Sequence, residues 1–394
     1  MRILLVSDFF PPVRGGLETH VDDLAAELVD RGHEVHVATL TAGATPSSPD
    51  VEVHVVTTAL SAIVRHERAD RPFHPPLPDP RARAALAKLV RSLRPDVVHA
   101  HSWLGVSLPR RGRPPVVFTA HDYALVCQLH TLLRTTGERC AGPAFGKCVA
   151  CGAGRYGVAR SAALAAATPV GRRLLPADRV LTLSGYVATR IRPHLAGTPI
   201  DVTGGFVRAA GDGAGDVEMP ALPERAYVLY AGDPGAHKGL DGLLDVWADG
   251  AVPAPLVVAT TKPLDREVAG DVTAVTLTRA QLDVARRRAA VAVVPSLWDE
   301  PYGMVAVEAL TAGVPVVASA VGALPELVTD RVDGLLVPPG DRNALVVALA
   351  GLVGDDSRRE RLAAAARSGA ARFAAAAVVP RIEAAYLAVV RAAA

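Results

Sequence analysis

The chain has 394 residues, half of them hydrophobic and 21% charged, a composition that suits two globular domains and excludes a disordered one. A formal net charge of +2 and 4% aromatic residues argue against a dedicated nucleic-acid surface, which would need a basic patch or stacking rings. No apolar run reaches bilayer-spanning length, and the N-terminus MRILLVSDFF lacks a signal-peptide pattern, so a cytoplasmic protein is expected.

In chain order, Arg2–Ser7 (RILLVS) reads as a strand buried on both faces. The loop 8–16, with Pro11, Pro12, Gly15 and Gly16, leads to a helix over 17–31, spaced through Val21, Leu24, Ala25 and Leu28 and stopped at Gly32. Strands follow at 34–40 and 51–56. The stretch 59–80, rich in His, Arg and Pro, reads as an irregular loop. A helix over 81–93 precedes strands at 96–99 and Val116–Ala120. All four cysteines fall in a turn-rich insert, 127–151. A helix over 158–175, a strand over 179–183 and a helix over 185–192 complete a first domain, set at 1–200.

Composition loosens at 204–223, and the alternation restarts. Strands are expected at 227–231, 255–260, 272–277 and 291–295, with helices from Leu240 and over 280–289. A second domain is set at 201–375. From Asp341 the chain reads as helical and Ala-rich to its end, broken once near Pro380. The last helix, 376–394, is expected to pack back on the first domain. Strand–helix alternation implies parallel sheets with right-handed crossovers, so the fold class is α/β, two facing doubly wound, Rossmann-like domains with a cleft between them.

In such sheets ligands bind at the carboxyl ends of the strands. Gly15, Gly16, His121, Ser184, Lys238 and the span from Glu300 to Glu308 all hold such positions. The span is the most informative. Gly303 opens a helix after a strand, so the amides of Gly303, Met304 and Val305 are expected as first-turn donors that favour a phosphate. Glu308, over a turn further on, can accept both hydroxyls of a ribose diol. Glu300 precedes the helix. A turn residue and a solvated helix position are the plain alternatives for the two glutamates.

The stretch EPYGMVAVEALTAGVPVVAS, its continuation VGALPELVTDRVDGLLVPPGD and the N-terminal PPVRGGLETHVDDLAAELVDRGHEVHV resemble the retaining family-4 glycosyltransferases of the GT-B fold. The resemblance implies a glycosyltransferase that takes its sugar from a nucleoside-diphosphate sugar and hands it to a small-molecule acceptor. It places Gly15 and Gly16 in the glycine loop over the donor diphosphate and His121 near the reacting sugar. Lys238 becomes the cation that neutralises the donor phosphates. Glu300 contacts the transferred sugar, Gly303, Met304 and Val305 the diphosphate, and Glu308 the ribose. Catalytic roles thus fall to His121, Lys238 and Glu300. Ser184 is equally well a helix N-cap. Two departures stand out: Gly232–Asp233 where the family has Gly-Arg, and TGGFVR where relatives have Asn-Gly. A carboxylate at 233 would repel a diphosphate.

No carboxylate is placed as a covalent nucleophile, which favours front-face attack assisted by the leaving phosphate. No catalytic metal is expected, because protein donors replace it and no Asp-x-Asp motif is present. Cys127, Cys140, Cys148 and Cys151, the last two a Cys-x-x-Cys pair, are expected to hold a structural zinc ion, with free thiols or a redox pair as alternatives. The 59–80 loop could meet an anionic acceptor or lipid headgroups, which leaves peripheral membrane contact open beside a mobile, solvated loop. An epimerase or pseudo-glycosyl coupling enzyme on the same scaffold, and a non-catalytic sugar-nucleotide binder, are the competing readings. Nucleotide, sugar, acceptor and oligomeric state are not encoded legibly.

Overall fold

The structure is a computed structural model that describes residues 1–13, 15–59, 74–208, 217–260, 262, 264 and 268–394. The chain divides into two compact units, Met1–Gly205 with Ala375–Ala394, and Phe206–Ala374.

The first unit carries a seven-stranded, all-parallel sheet: β1 (Arg2–Ser7), β2 (Glu34–Thr39), β3 (Glu52–Val55), β4 (Val97–Ala100), β5 (Val116–Ala120), β6 (Arg179–Thr182) and β7 (Ile200–Val202), in the order β3-β2-β1-β4-β5-β6-β7. The strand order reverses between β1 and β4, which opens a crevice at their carboxyl ends. Helix α1 (Gly16–Asp30) buries Val21, Leu24, Ala25 and Leu28, the i, i+3, i+4, i+7 stripe of its sequence. Helix α2 (Pro80–Leu93) starts sharply because Asp79 accepts from the Arg81 and Ala82 amides and Pro80 needs no amide partner at the first position.

Two expectations in this unit are corrected. The cysteine-bearing insert is not all turns: Phe145–Tyr156 forms helix α3, followed by α4 (Val158–Leu174). Its FGKCVACGAGRY run has short side chains that tolerate a helix, and the Gly157 turn ends it. Pro380 does not break the terminal helix. Helix α12 (Ala375–Ala393) runs through it, and the buried Val378, Val379 and Ile382 hold the segment against the first unit's sheet. That burial outweighs the one backbone bond the proline removes. Of the 59–80 loop, residues 60–73 lie outside those described.

The second unit has a six-stranded parallel sheet: β8 (Val228–Ala231), β9 (Leu256–Ala259), β10 (Val272–Val275), β11 (Val291–Val294), β12 (Val316–Ser319) and β13 (Gly334–Val337), in the order β10-β9-β8-β11-β12-β13. Helix α5 (Gly185–Ile191) belongs to the first unit, and the second unit's helices are α6 (Leu240–Ala248), α7 (Arg279–Arg288), α8 (Met304–Thr311), α9 (Leu324–Leu327), α10 (Arg342–Val353) and α11 (Asp356–Gly369). Val228, Leu243, Leu256, Val291, Val317 and Leu349 are fully shielded in its core, each contributing about 1.5–3 kcal/mol by burial. The single helix expected from Asp341 is split at Gly354–Asp355, where Asp355 caps the next helix by accepting from Arg358 N. The order again reverses, between β8 and β11. Among the described residues, no helix is long and apolar enough to cross a membrane.

Candidate functional site

In the first unit, a cavity of about 290 Å³ opens at the carboxyl ends of β1, β4 and β5, lined by Asp8, Gly15, Gly16, Glu18, His101, Ser102, Trp103, His121, Asp122 and His130 among others. The reversal of strand order places it there. Gly15 caps α1 and Gly16 begins it, so the helix start, with its favourable field for negative charge, forms part of the wall. Asp8 is held rigidly: its Oδ1 accepts from Ser102 Oγ at 2.7 Å and from Leu104 N at 2.8 Å. Burial pushes the Asp8 carboxyl above the ordinary aspartate value, only partly opposed by His74 and these hydrogen bonds.

His121 does not act alone. Its Nε2 lies 2.9 Å from His101 Nδ1, and its ring meets His20 edge-on with centroids 5.0 Å apart. His99 stacks near His101, centroids 4.0 Å apart, and is pinned by Tyr386 Oη at 2.7 Å and Thr119 Oγ1 at 2.6 Å. Burial, then the neighbouring imidazoles, hold His99, His101 and His121 well below the ordinary histidine value, and burial lowers His20 to about 4. The cluster is therefore neutral near pH 7. One ring of the His101–His121 pair donates and the other accepts. His101 Nε2 is buried with no hydrogen-bond partner among the described residues, which leaves a polar atom of the cavity wall for a ligand or water. At the rim, His130 Nδ1 lies 3.0 Å from Asp122. Shielding disfavours the His130 charge, but Asp122's attraction and hydrogen bond exceed it and raise the pKa above the ordinary value.

In the second unit, the loops after β8 and β11 carry the other predicted residues. Lys238, closing a single 3-10 turn, donates to Glu300 Oε1 at 2.8 Å, and its Nζ sits 4.9 Å from the Trp298 ring centre. Glu300 is 5% exposed and also accepts from Ser296 Oγ at 2.6 Å. Gly303 caps α8 in the left-handed region, φ 106°. A Cβ there would meet Leu324 Cδ2 at 2.7 Å, so glycine is required both by conformation and by space. The Met304 and Val305 amides precede the first closing bond of the helix, Ala306 N to Gly303 O. A further glycine, Gly322, lets its loop lie against the Glu300 backbone, where a Cβ would fall 2.3 Å from Glu300 N and O.

Glu308 is not a solvated helix position. Its Oε2 accepts from Arg286 Nη2 at 2.6 Å, and Arg286, 4% exposed, also donates to Asp283 at 2.5 Å. One Glu308 oxygen is thus held by an internal cation. Asp233, at the position where the resembled family has arginine, pairs with Lys262 Nζ at 2.6 Å and accepts from Gly235 N. Lys262 supplies the cation next to the departure. Ser184 caps α5, accepting from Val187 N at 3.1 Å.

Asp8, His101, His20, Arg286 and Lys262 were not singled out from sequence. Asp8 and His101 follow β1 and β4 directly, so the strand-end rule that marked His121 marks them equally. Arg286 and Lys262 had no local signal, because each acts through a partner 22 or 29 residues away in sequence.

All four cysteines are half-buried free thiols. Among the described residues, three potential ligand atoms within 4.8 Å of one another occur at His36, Glu52 and His54, not at the cysteines. Cys148 and Cys151 share helix α3 while Cys127 and Cys140 lie in the preceding loops.

Residues 14–207 match the family described as Glycosyltransferase Family 4, and residues 218–369 that described as Glycosyl transferases group 1. The chain is 31% identical to a D-inositol 3-phosphate glycosyltransferase of Xylanimonas cellulosilytica, over 91% of this chain and 88% of that one. Among solved structures, sucrose-phosphate synthase from Thermosynechococcus elongatus superposes with a TM-score of 0.74 at 22% identity, covering 99% of both chains. The Anabaena protein HepE, solved with UDP-glucose, gives 0.66 at 18% identity over 98% of this chain and all of that one. With one matching family on each unit and this relative across both, the chain belongs to the family-4 glycosyltransferases of the GT-B fold.

Proposed function

We propose that the protein is a retaining glycosyltransferase that moves a sugar from a nucleoside-diphosphate sugar to a small-molecule acceptor by front-face attack. The observation that carries this reading is the group formed by Lys238, Glu300 and Ser296 next to the start of α8, with Glu308 one turn further on. A relative's structure with UDP-glucose supports the donor class.

In this reading Lys238 and the Gly303, Met304 and Val305 amides bind the diphosphate. Charge on the leaving phosphate grows in the transition state, and fixed donors aimed at it lower the barrier. The free Lys238–Glu300 contact keeps the ammonium in place before the donor arrives. Glu300 then orients hydroxyls of the transferred sugar. Glu308 accepts from the ribose diol with its geometry set by Arg286. Gly15 and Gly16 admit the diphosphate close to the backbone. The bond between the anomeric carbon and the phosphate oxygen breaks as the acceptor oxygen bonds that carbon from the same face. The acceptor's proton passes to the departing phosphate oxygen. Asp8 and the neutral His101–His121 pair bind and orient hydroxyl groups. A cytoplasmic location belongs to the same proposal.

A thermal-shift screen against UDP-, GDP-, ADP- and dTDP-sugars tests donor binding, since ligand at a hundred times its Kd stabilises by about 2.7 kcal/mol. Nucleoside diphosphate release that requires an acceptor, with the anomeric configuration kept in the product, is the expected result. Release without acceptor points to an epimerase or coupling enzyme, and binding without turnover to a sugar-nucleotide binder. A glycosyl group trapped on Glu300 would overturn front-face attack.

A further inference from the structure

At the edge of the first unit's sheet, on the adjacent strands β2 and β3, two histidines and a glutamate converge. His36 and Glu52 are direct neighbours across the β2–β3 pair, and His54 lies two residues further on the same face. His36 Nδ1 is 3.2 Å from His54 Nε2 and 3.2 Å from Glu52 Oε2, and His54 Nε2 is 3.7 Å from Glu52 Oε1. Two ligands of a tetrahedral zinc ion, each about 2.0–2.1 Å from the metal, stand about 3.3 Å apart. The two separations from His36 Nδ1, each 3.2 Å, match that edge length, and the other Glu52 oxygen stands 3.7 Å from His54.

The atoms around the group are arranged as they are in metal sites. His36 Nε2 lies 3.1 Å from Glu34 Oε1, and Glu34 is itself held by Arg2 Nε at 2.7 Å. A proton on Nε2 shared with Glu34 leaves the His36 Nδ1 lone pair facing His54 and Glu52, the orientation that a carboxylate imposes on a metal-bound imidazole. The His36 side chain is 6% exposed and that of His54 19%, while Glu52 is 64% exposed, so the site has buried nitrogens and an open side for an ion and a water.

We propose that His36, His54 and Glu52 form a zinc site, with water as the fourth ligand, that fastens the edge strand β3 to β2. Imidazole nitrogens select zinc over magnesium or calcium, which prefer all-oxygen sites. None of the three residues lines the first unit's cavity, so metal there acts on stability and leaves turnover unchanged.

Titrating metal-free protein that carries Cys148→Ser, which removes any ion on the cysteines, with zinc by calorimetry and with cobalt by absorption spectroscopy tests the site. One equivalent bound is expected, with a rise in Tm and a visible cobalt spectrum that lacks thiolate charge transfer. That last feature separates the site from any ion on the cysteines. His54→Asn and Glu52→Gln, both on the edge strand, should each weaken binding at least tenfold with glycosyl transfer unchanged, and Glu34→Gln by about tenfold. Unchanged affinity in His54→Asn and Glu52→Gln, a thiolate cobalt spectrum, or no zinc bound at micromolar concentration would each overturn the proposal. In the last case the two rings share an ordinary hydrogen bond.

Discussion

Lys238 and Glu300 meet at 2.8 Å, so the cation assigned to the donor phosphates is already neutralised by the carboxylate assigned to the sugar. The Glu300 side chain is 6% exposed and that of Lys238 26%, so removing either leaves the other short of a partner. Lys238→Ala is expected to lower kcat by about 10²- to 10³-fold, the scale for losing one fixed donor at a developing charge. Glu300→Gln keeps the shape and the hydrogen bond from Ser296, and should lower kcat with little loss of donor binding. Steady-state nucleoside diphosphate release, with thermal shift as the binding measure, separates the two. A Lys238→Ala enzyme with full turnover would remove lysine from the mechanism.

Glu308→Ala should abolish the donor-induced thermal shift. It also strips Arg286 of one of its two carboxylate partners, so a loss of about 1–3 kcal/mol in stability is expected even without ligand. Glu308→Gln, which can still accept from Arg286, should recover most of that stability but little of the donor affinity. Urea denaturation and the ligand shift, measured on both variants, distinguish the ribose role from the structural one. An undiminished shift in Glu308→Ala would sink the ribose assignment.

Asp233 and Lys262 form a half-exposed pair, so Asp233→Ala should change stability by no more than about 1 kcal/mol. Donor kinetics should respond in a different way. Lys262→Ala leaves the Asp233 charge uncompensated and is expected to raise the donor KM several-fold. Asp233→Ala combined with Lys262→Ala should return it towards the starting value. A double variant as impaired as Lys262→Ala alone would show that the lysine acts on the donor directly.

Burial of His20 lowers its pKa to about 4, from an ordinary value near 6.5. Between those values the unfolded chain binds the proton and the folded chain does not. Stability is therefore complete above about pH 6.5 and falls as the pH drops towards 4. His99, His101 and His121 are shifted in the same direction and add to the slope. His20 alone contributes on the order of 3 kcal/mol across the window. Chemical denaturation at pH 4.5, 5.5 and 7 should show this rise, and His20→Asn should flatten it. A midpoint independent of pH in the wild-type protein would contradict buried neutral histidines.

Structural zinc on Cys127, Cys140, Cys148 and Cys151 remains a proposal that rests on their spacing, and it requires the insert to close around the ion. It predicts about one equivalent of zinc beyond that held at His36, His54 and Glu52, in protein purified without chelator. That equivalent should be lost in Cys148→Ser and should bring a thiolate charge-transfer band on cobalt substitution. A band absent from the cobalt protein counts against it.

Most of the architecture was written locally. The strands RILLVS and VVFTA, the Val21–Leu28 stripe and the glycine at 303 each encode their element within a few residues, because backbone geometry and one buried face decide them. One misreading came where tertiary burial overrode local preference: Pro380 is carried inside a helix by its buried neighbours. The other was local, since the short side chains of the cysteine insert permit α3 where turns were expected. The motif from Glu300 to Glu308 was legible by itself, since strand, turn, glycine and helix follow one another there.

What the linear chain determined was which groups stand at the strand ends, and therefore where in each unit its site residues lie. Only the tertiary structure decided what those groups are paired with: Lys238 with Glu300, Arg286 with Glu308, Lys262 with Asp233, His101 with His121. A period of two or 3.6 residues positions a side chain on its own element. Its partner comes from another loop or strand brought alongside by sheet order, and no local pattern records that.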